Sequence, residues 1–517
     1  MNTTWADSER LAALREGLTV VGERDEIAVE APATGETVGA IPASTEEDVD
    51  AAVANARDAQ AAWGARSLEE RVDVLDTFHD VVLDRQDALL DLAQLETGKT
   101  RRDAFEEVLD VAATARHYAN NADLLESERR SGAFPLMTKA VVNHPPVGVV
   151  GLISPWNYPL TLAVSDALPA LLAGNSVVLK PDESTTHTAL LARDLLEDAG
   201  LPPGVLQVVS GDGAELGEPL VERVDYVGFT GSTDVGREVA ALAGEHLVDC
   251  SLELGGKNPL VVLDDADPAE AAAGATRAAF ANAGQLCIST ERFYIHENVY
   301  DEFVDEFVRE TRALELGHEF AYGPDVGSLQ SAQQLEKVSG HVDEAVDAGA
   351  TVLAGGRARP DLGPYFYEPT ILEDVTSDMT LSGEETFGPV VALYEVDSVE
   401  DAIDRANDSP YGLNASVWTS DDERGEQVAE RLECGTVNVN EGYAAAWASV
   451  DAPMGGMKDS GVGRRHGDEG LLKYTASQTV ATQRGSRIDP GPLPADLWAR
   501  GLTLALRGLK RVTGWSR

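Results

Sequence analysis

Three residue types that can act together on a carbonyl group occur in this chain: a thiol at Cys287, a carboxylate at Glu253 and a primary amide at Asn157. A thiolate can add to an electrophilic carbon, a carboxylate can take a proton from water, and an amide N–H can hold the oxyanion that the attack creates. Each also has a plainer reading. A lone cysteine is usually an inert buried hydrophobe. Glu253 stands four residues before Lys257, the spacing of an ion pair on one helical turn, although Gly255 and Gly256 make a helix there doubtful. Asn157, within Ser154-Pro155-Trp156-Asn157-Tyr158-Pro159, is equally a turn-forming residue.

Local context favours chemistry. Gly284-Gln285 just before Cys287 indicates a tight turn that presents the sulfur. Leu252 and Leu254 flank Glu253, so the carboxyl should be partly desolvated and its pKa raised toward that of a general base. Asn157 follows an apparent strand, at the end where α/β proteins hold ligands. Phe229-Thr230-Gly231-Ser232-Thr233-Asp234-Val235-Gly236 also follows a strand and opens a helix. Ser232 or Thr233 could cap that helix, whose free N–H groups suit a pyrophosphate. The signal is weak by itself, because GxGxxG is absent. Lys180-Pro181-Asp182-Glu183 places a cation and a carboxylate where an adenosine ribose could be gripped, which favours NAD over NADP. The bland reading of that segment is a solvated strand end.

These residues need elements to position them. From Ser44 to about Leu125 the pattern predicts consecutive helices, with capping boxes at Ser44-x-x-Glu47 and Ser67-x-x-Glu70. Leu136 to Ile153 reads as strands joined at Pro145-Pro146. Strands are then expected at Val147–Ile153, Val177–Lys180, Leu206–Val209 and Tyr226–Phe229, with helices at Thr185–Ala199 and Thr233–Ala243. A second series follows: Pro259–Leu263, a helix Pro268–Asn282, Arg292–His296, a helix Val299–Leu314, and Val390–Val396. Such alternation predicts an α/β fold with two doubly wound parallel-sheet domains. Glu253 would lie near the crossing between them and Cys287 in the second. Near the end, Ser477–Gln483 reads as a strand, Ile488–Pro494 as a Pro-rich linker and Leu497–Arg517 as a basic helix. In so acidic a chain that helix is expected to dock on its own or a neighbouring subunit; no firm membrane signal accompanies it.

Composition sets outer bounds. The 517 residues exceed one compact core, and 43% are hydrophobic. Asp and Glu number 89 against 40 Lys and Arg, a formal net charge of −49. Acids spread along the whole length point to a halophile's cytoplasm, where salt screens self-repulsion, and they exclude a nucleic-acid partner. Cys250, Cys287 and Cys434 form no CxxC pair, which argues against a disulfide scaffold and against a metal site. Met1–Arg10 shows no signal peptide, and Leu160–Leu179 is broken by polar residues and Pro169, so it is expected to be core and not a membrane span.

Taken together, seven ordered motifs resemble the aldehyde dehydrogenase superfamily from about Pro32 to Val480. They are Pro155-Trp156-Asn157, Lys180-Pro181-x-Glu183, Phe229-Thr230-Gly231-Ser232, Glu253-Leu254-Gly255-Gly256-Lys257, Gly284-Gln285-x-Cys287, Glu385-Thr386-Phe387-Gly388-Pro389 and Pro453-Met454-Gly455-Gly456-x-Lys458-x-Ser460-Gly461. The resemblance implies NAD(P)-dependent oxidation of an aldehyde to its acid. Cys287 would attack the aldehyde, Asn157 and the Cys287 N–H would hold the oxyanion, hydride would pass to the nicotinamide, and Glu253 would activate the water that hydrolyses the thioester. Trp156, Lys180, Glu183, Ser232, Glu385 and Phe387 would contact NAD, or NADP in its place.

It further implies a dinucleotide-binding domain at 1–125 and 147–255, a catalytic domain at 256–475, and a small β oligomerisation domain at 126–146 and 476–485, with 486–517 as linker and basic helix. A cytoplasmic homodimer or homotetramer would follow. The motif around Lys458 and the extended tail look like a branch of succinate-semialdehyde dehydrogenases. Two departures stand out. Ala476 replaces a glutamate that many members carry, and Ser165 sits where known enzymes with that activity carry a carboxylate-binding arginine. A CoA-acylating relative is the first rival reading, and Glu253 argues against it. A non-catalytic relative is the second, opposed by the intact trio.

Overall fold

The computed structural model describes residues 8–131, 138–484 and 489–512. Contacts divide the chain into two units, Met1–Leu125 with Pro145–Ala476, and Glu126–His144 with Ser477–Arg517.

The larger unit contains two mainly parallel sheets. In the first, the spatial order is Gly461–Val462, Asp249–Glu253, Tyr226–Thr230, Val149–Ser154, Ser176–Pro181 and Leu206–Val208, with only the short Gly461–Val462 strand antiparallel. The chain winds outward from Val149–Ser154 to Leu206–Val208 and then returns to the other side. That reversal opens a crevice at the carboxyl ends of Val149–Ser154 and Tyr226–Thr230. Val177, Val178 and Leu179 are fully buried, because helices cover both faces of the sheet.

The second sheet runs Thr351–Ala354, Thr370–Glu373, Val390–Val396, Thr290–His296, Asn258–Val262, Asn414–Trp418 and Thr436–Val439, with Thr351–Ala354 antiparallel at its edge. Glu253 ends the last parallel strand of the first sheet and Asn258 begins a central strand of the second. The Gly255-Gly256 segment therefore carries the chain from one sheet to the other, so the expected pair of doubly wound sheets is present.

The expected helical run is four helices, Glu46–Gly64, Leu68–Asp84, Gln86–Thr97 and Arg101–Asn120. Ser67 and Glu70 form the expected capping box: Ser67 Oγ accepts from the Glu70 N–H at 3.2 Å and Glu70 accepts from the Ser67 N–H at 2.8 Å. The other box is corrected by one residue. Ser44 is buried and its hydroxyl accepts from the Ser210 N–H at 3.2 Å, so Thr45 caps the helix and Asp48 answers it at 2.8 Å. The helix from Pro268 stops at Phe280, two residues short of Asn282, since Asn282 and Ala283 adopt left-handed φ of 52° and 56°. The hairpin Glu26–Ala31 with Glu36–Pro42, the helix Ala332–Asp347 and the strands Asn414–Trp418 and Thr436–Val439 went unassigned in the sequence.

The smaller unit is an antiparallel sheet of Gln478–Gln483, Thr138–Asn143 and Glu128–Ser131, with Val480 opposite Val141 and Ala140 opposite Arg130. It also contains the helix Ala495–Val512, on which Leu497, Leu504 and Leu506 are exposed. Leu136, Ile488 and the last five residues of the expected tail helix lie outside the described residues, as do the first seven. Among the described residues no helix is long and apolar enough to cross a membrane.

Candidate active site

Cys287 follows a turn of three left-handed residues. Asn282, Ala283 and Gly284 have successive positive φ, and a Cβ on Gly284 would meet the Gly388 carbonyl oxygen at 2.1 Å. Glycine is obligatory there. Beyond the turn, the Cys287 carbonyl accepts from Asn258 Nδ2 at 2.8 Å, and the same amide donates to the Ser289 carbonyl at 2.7 Å. Asn258 Oδ1 in turn accepts from the Asn414 N–H at 3.0 Å. Two central strands of the second sheet thus fix the backbone that carries the sulfur.

Asn157 comes from the crevice of the first sheet and reaches across to that loop. Its Nδ2 donates to the Gln285 carbonyl at 3.1 Å, which leaves the amide one further N–H. Its own carbonyl accepts from Lys99 Nζ at 2.7 Å and from Asn282 Nδ2 at 3.2 Å. Lys99 is fully buried and paired with Glu107 at 2.7 Å, and Glu107 accepts from the Leu160 and Thr161 N–H groups at 2.8 and 3.1 Å. This buried pair underpins the loop that holds Asn157.

Glu253, half-buried, lines the same cavity of about 210 Å3 as Cys287 and Asn157. The ion-pair reading with Lys257 does not hold. Gly255-Gly256 turn the chain away, and Lys257 Nζ pairs with buried Glu291 and reaches Thr386 Oγ1 at 3.4 Å. Burial pushes the Glu253 carboxyl up to about 7, against the opposing pull of Arg465 and Lys473. Burial, then the charges of Glu253 and Glu385, push the Cys287 thiol up to about 12. A carboxyl near neutrality beside a thiol that holds its proton is an arrangement for moving protons.

The remaining walls suit a dinucleotide. Trp156, Ser232, Glu385 and Phe387 all line the cavity. Ser232 caps the helix Thr233–His246. Glu385 accepts from the Gly256 N–H at 2.8 Å, and the Trp156 and Phe387 rings meet edge to face at 5.6 Å. A Cβ at Gly255 would come within 2.9 Å of Glu385, so this passage is kept open by glycine. Lys180 and Glu183 do not line the cavity; Lys180, at the end of the strand Ser176–Pro181, faces Glu183 just beyond it at 3.7 Å. Among the described residues no cluster suited to a metal ion occurs.

Sequence reasoning missed Gln334 and Lys337, which reach the cavity from the helix Ala332–Asp347; Gln334 Nε2 donates to the Phe387 carbonyl at 2.6 Å. It also missed a smaller chamber of about 50 Å3 on the other side of Cys287, walled by Tyr158, Leu162, Ile288, Trp447, Met454 and Arg465 among others. Tyr158 sat beside Asn157 in a motif already singled out, whereas no local pattern marks Trp447 or Arg465.

Two parallel sheets meeting at a cleft that holds a thiol, a carboxylate and a helix N-terminus define an α/β enzyme of the nucleotide-dependent oxidoreductase kind. The sequence profile of the Aldehyde dehydrogenase family matches residues 20–480. The chain belongs to that family. It is 50% identical, over 98% of its length and 99% of the relative's, to a Mycolicibacterium smegmatis protein provisionally named succinate-semialdehyde dehydrogenase [NADP(+)]. Among solved structures it resembles an aldehyde dehydrogenase from Bacillus cereus in complex with NAD+, with TM-score 0.86, 34% identity, 92% of this chain and 98% of that one covered. An E. coli NADP-dependent enzyme also gives TM-score 0.86, at 33% identity and with 90% and 97% covered. NAD(P)-dependent aldehyde oxidation is accordingly the activity of this chain.

Proposed function

We propose that the aldehyde is succinate semialdehyde and the product succinate, with Cys287, Glu253 and Asn157 carrying the reaction. The observation behind the mechanism is the single cavity that Cys287 and Glu253 share with Trp156, Ser232, Glu385 and Phe387; the substrate rests on the relatives' names. Cys287 Sγ attacks the aldehyde carbon as its own proton is lost to bulk water, so that Glu253 stays a carboxylate for the second step. The free Asn157 N–H and the Cys287 backbone N–H hold the oxyanion. A nicotinamide dinucleotide, when bound, supplies the hydride acceptor; Trp156, Ser232, Glu385 and Phe387 hold it along the cleft, with Lys180 and Glu183 at its far end. Glu253 then takes a proton from the water that cleaves the Cys287 thioester.

Glu183 supports NAD as the better cofactor, because a carboxylate disfavours a ribose phosphate, although the M. smegmatis relative's name specifies NADP(+). The acidic surface supports an origin in a salt-rich cytoplasm, and the exposed strand Gln478–Gln483 with the basic helix after it supports a homodimer or homotetramer. An assay of the purified protein at high salt against succinate semialdehyde, betaine aldehyde and butanal, each with NAD and NADP, tests the reading. The highest kcat/KM is expected for succinate semialdehyde with NAD; a preference for another aldehyde overturns the substrate.

A further inference from the structure

The chamber beyond Cys287 contains polar groups that its own walls leave unanswered. Tyr158 and Arg465 are each only 7% exposed, and the Tyr158 hydroxyl and the Arg465 Nε and Nη2 have no hydrogen-bond partner. Leaving such groups buried and unpaired is unfavourable, the more so where charge is involved. All are donors, and both residues line the chamber that Cys287 also lines. The acid at the chamber wall, Glu106, is already engaged by Arg277 and by the Tyr443 hydroxyl at 3.2 Å. Asn157, Tyr443 and Thr161, whose hydroxyl also lacks a hydrogen-bond partner, add polar wall, and Leu162, Leu286, Ile288, Trp447 and Met454 add the apolar part.

Two acids lie behind Arg465, and neither uses up its donors. Asp166 Oδ2 stands 3.8 Å from Nη2, outside hydrogen-bond range, and its nearer partner is Lys473 at 3.1 Å. Asp110 is buried and accepts the Ser165 hydroxyl at 2.5 Å; burial pushes its carboxyl up, toward the neutral form. Burial works against the Arg465 charge, but Asp166, Asp110 and Glu253 outweigh it, so the guanidinium stays cationic. Ser165 is turned toward Asp110 and does not line the chamber, whereas Arg465, between the strand Gly461–Val462 and the helix Gly467–Leu472, does.

We infer that Arg465, assisted by the Tyr158 hydroxyl, recognises the distal carboxylate of the substrate and so selects short aldehydes that end in a carboxylate. The inference rests on the proposed substrate and deepens it. An acid group two methylenes from the aldehyde carbon suits a chamber of about 50 Å3 that Cys287 also lines. The carboxylate accepts N–H bonds from the guanidinium and one O–H bond from the phenol, which replaces the missing partners. The apolar walls take the methylenes.

The test compares succinate semialdehyde with butanal, which lacks the carboxylate, in the wild type and in Arg465→Met, Arg465→Lys and Tyr158→Phe. Arg465→Met should lower kcat/KM for succinate semialdehyde by roughly 30- to 100-fold more than for butanal, chiefly through KM, as expected for the loss of a charged hydrogen-bond partner. Arg465→Lys should recover part of the difference, and Tyr158→Phe should lose about 3- to 10-fold selectively. Equal losses on both aldehydes in Arg465→Met and Arg465→Lys overturn the inference and make Arg465 a structural ion-pair partner. If Arg465→Met does not fold, Tyr158→Phe and Arg465→Lys decide it: unchanged selectivity in both overturns it. A wild type that oxidises butanal but not succinate semialdehyde refutes the proposed substrate instead, whatever the variants do.

Discussion

The thiol and the carboxyl in this site are set against each other. Glu253 as an anion holds the proton on Cys287, and Cys287 is at its most reactive only when that proton has somewhere to go. A carboxyl raised to about 7 is mostly protonated below that pH and mostly a base above it. Steady-state kcat should therefore climb between pH 6 and 8 with a midpoint near 7. Glu253→Gln should keep a pre-steady-state burst of about one NADH per site and lose roughly 100- to 10,000-fold in steady-state rate; Cys287→Ala should lose the burst as well. A missing burst in Glu253→Gln would move Glu253 to the first half-reaction. The trio was legible because each member sits in a recognisable run of neighbours. Arg465 was not: Gly463-Arg464-Arg465-His466 gives no hint which arginine turns inward. The structure answers through backbone, with His466 at φ 61°, Arg464 donating to the Gly456 carbonyl at 3.0 Å, and Arg465 buried.

Among elements, the turn before Cys287 is the most demanding. Its three left-handed residues and the contact between Gly284 and the Gly388 carbonyl join the cysteine loop to the Glu385–Pro389 segment with no room for a methyl group. Gly284→Ala should destabilise the fold by about 2–5 kcal/mol, the sum of backbone strain and overpacking, read as a lower denaturation midpoint in urea or guanidinium. An unchanged midpoint would show that the turn relaxes. Strand and helix types could be read from residue periodicity for four strands of the first sheet and three of the second, yet boundaries slipped where a side chain had a tertiary commitment. Ser44 carries the signature of a cap but bonds Ser210, so Thr45 takes over. Asn282 continues a helical pattern but donates to the Asn157 and Gln285 carbonyls, and the helix yields to those bonds. Ser210 and Asn157 lie far from these residues in sequence, so those bonds could not be seen there.

For the molecule as a whole, the formal charge of −49 dominates. Many arginines are already spent on local clusters: Arg223 meets Glu46, Asp50 and Glu222, and Arg424 meets Asp264 and Asp265. The remaining carboxylates repel one another across the surface, and the Debye length shrinks from about 10 Å at 0.1 M to about 3 Å at 1 M salt. Melting temperature and activity should both rise as KCl goes from 0.1 to 2 M; equal activity in dilute buffer would refute the high-salt reading.

The thiol is seated by Asn258 and Asn414, on central strands of the second sheet. The chamber proposed to receive the rest of the substrate is walled in part by Trp447, Met454 and Arg465, from a stretch that supplies none of those anchoring bonds. Point changes at these three positions can redirect substrate choice while the reacting sulfur stays where it is. Descendants of one such chain can thus diverge in diet without relearning the reaction, and close kinship in sequence need not mean a shared aldehyde.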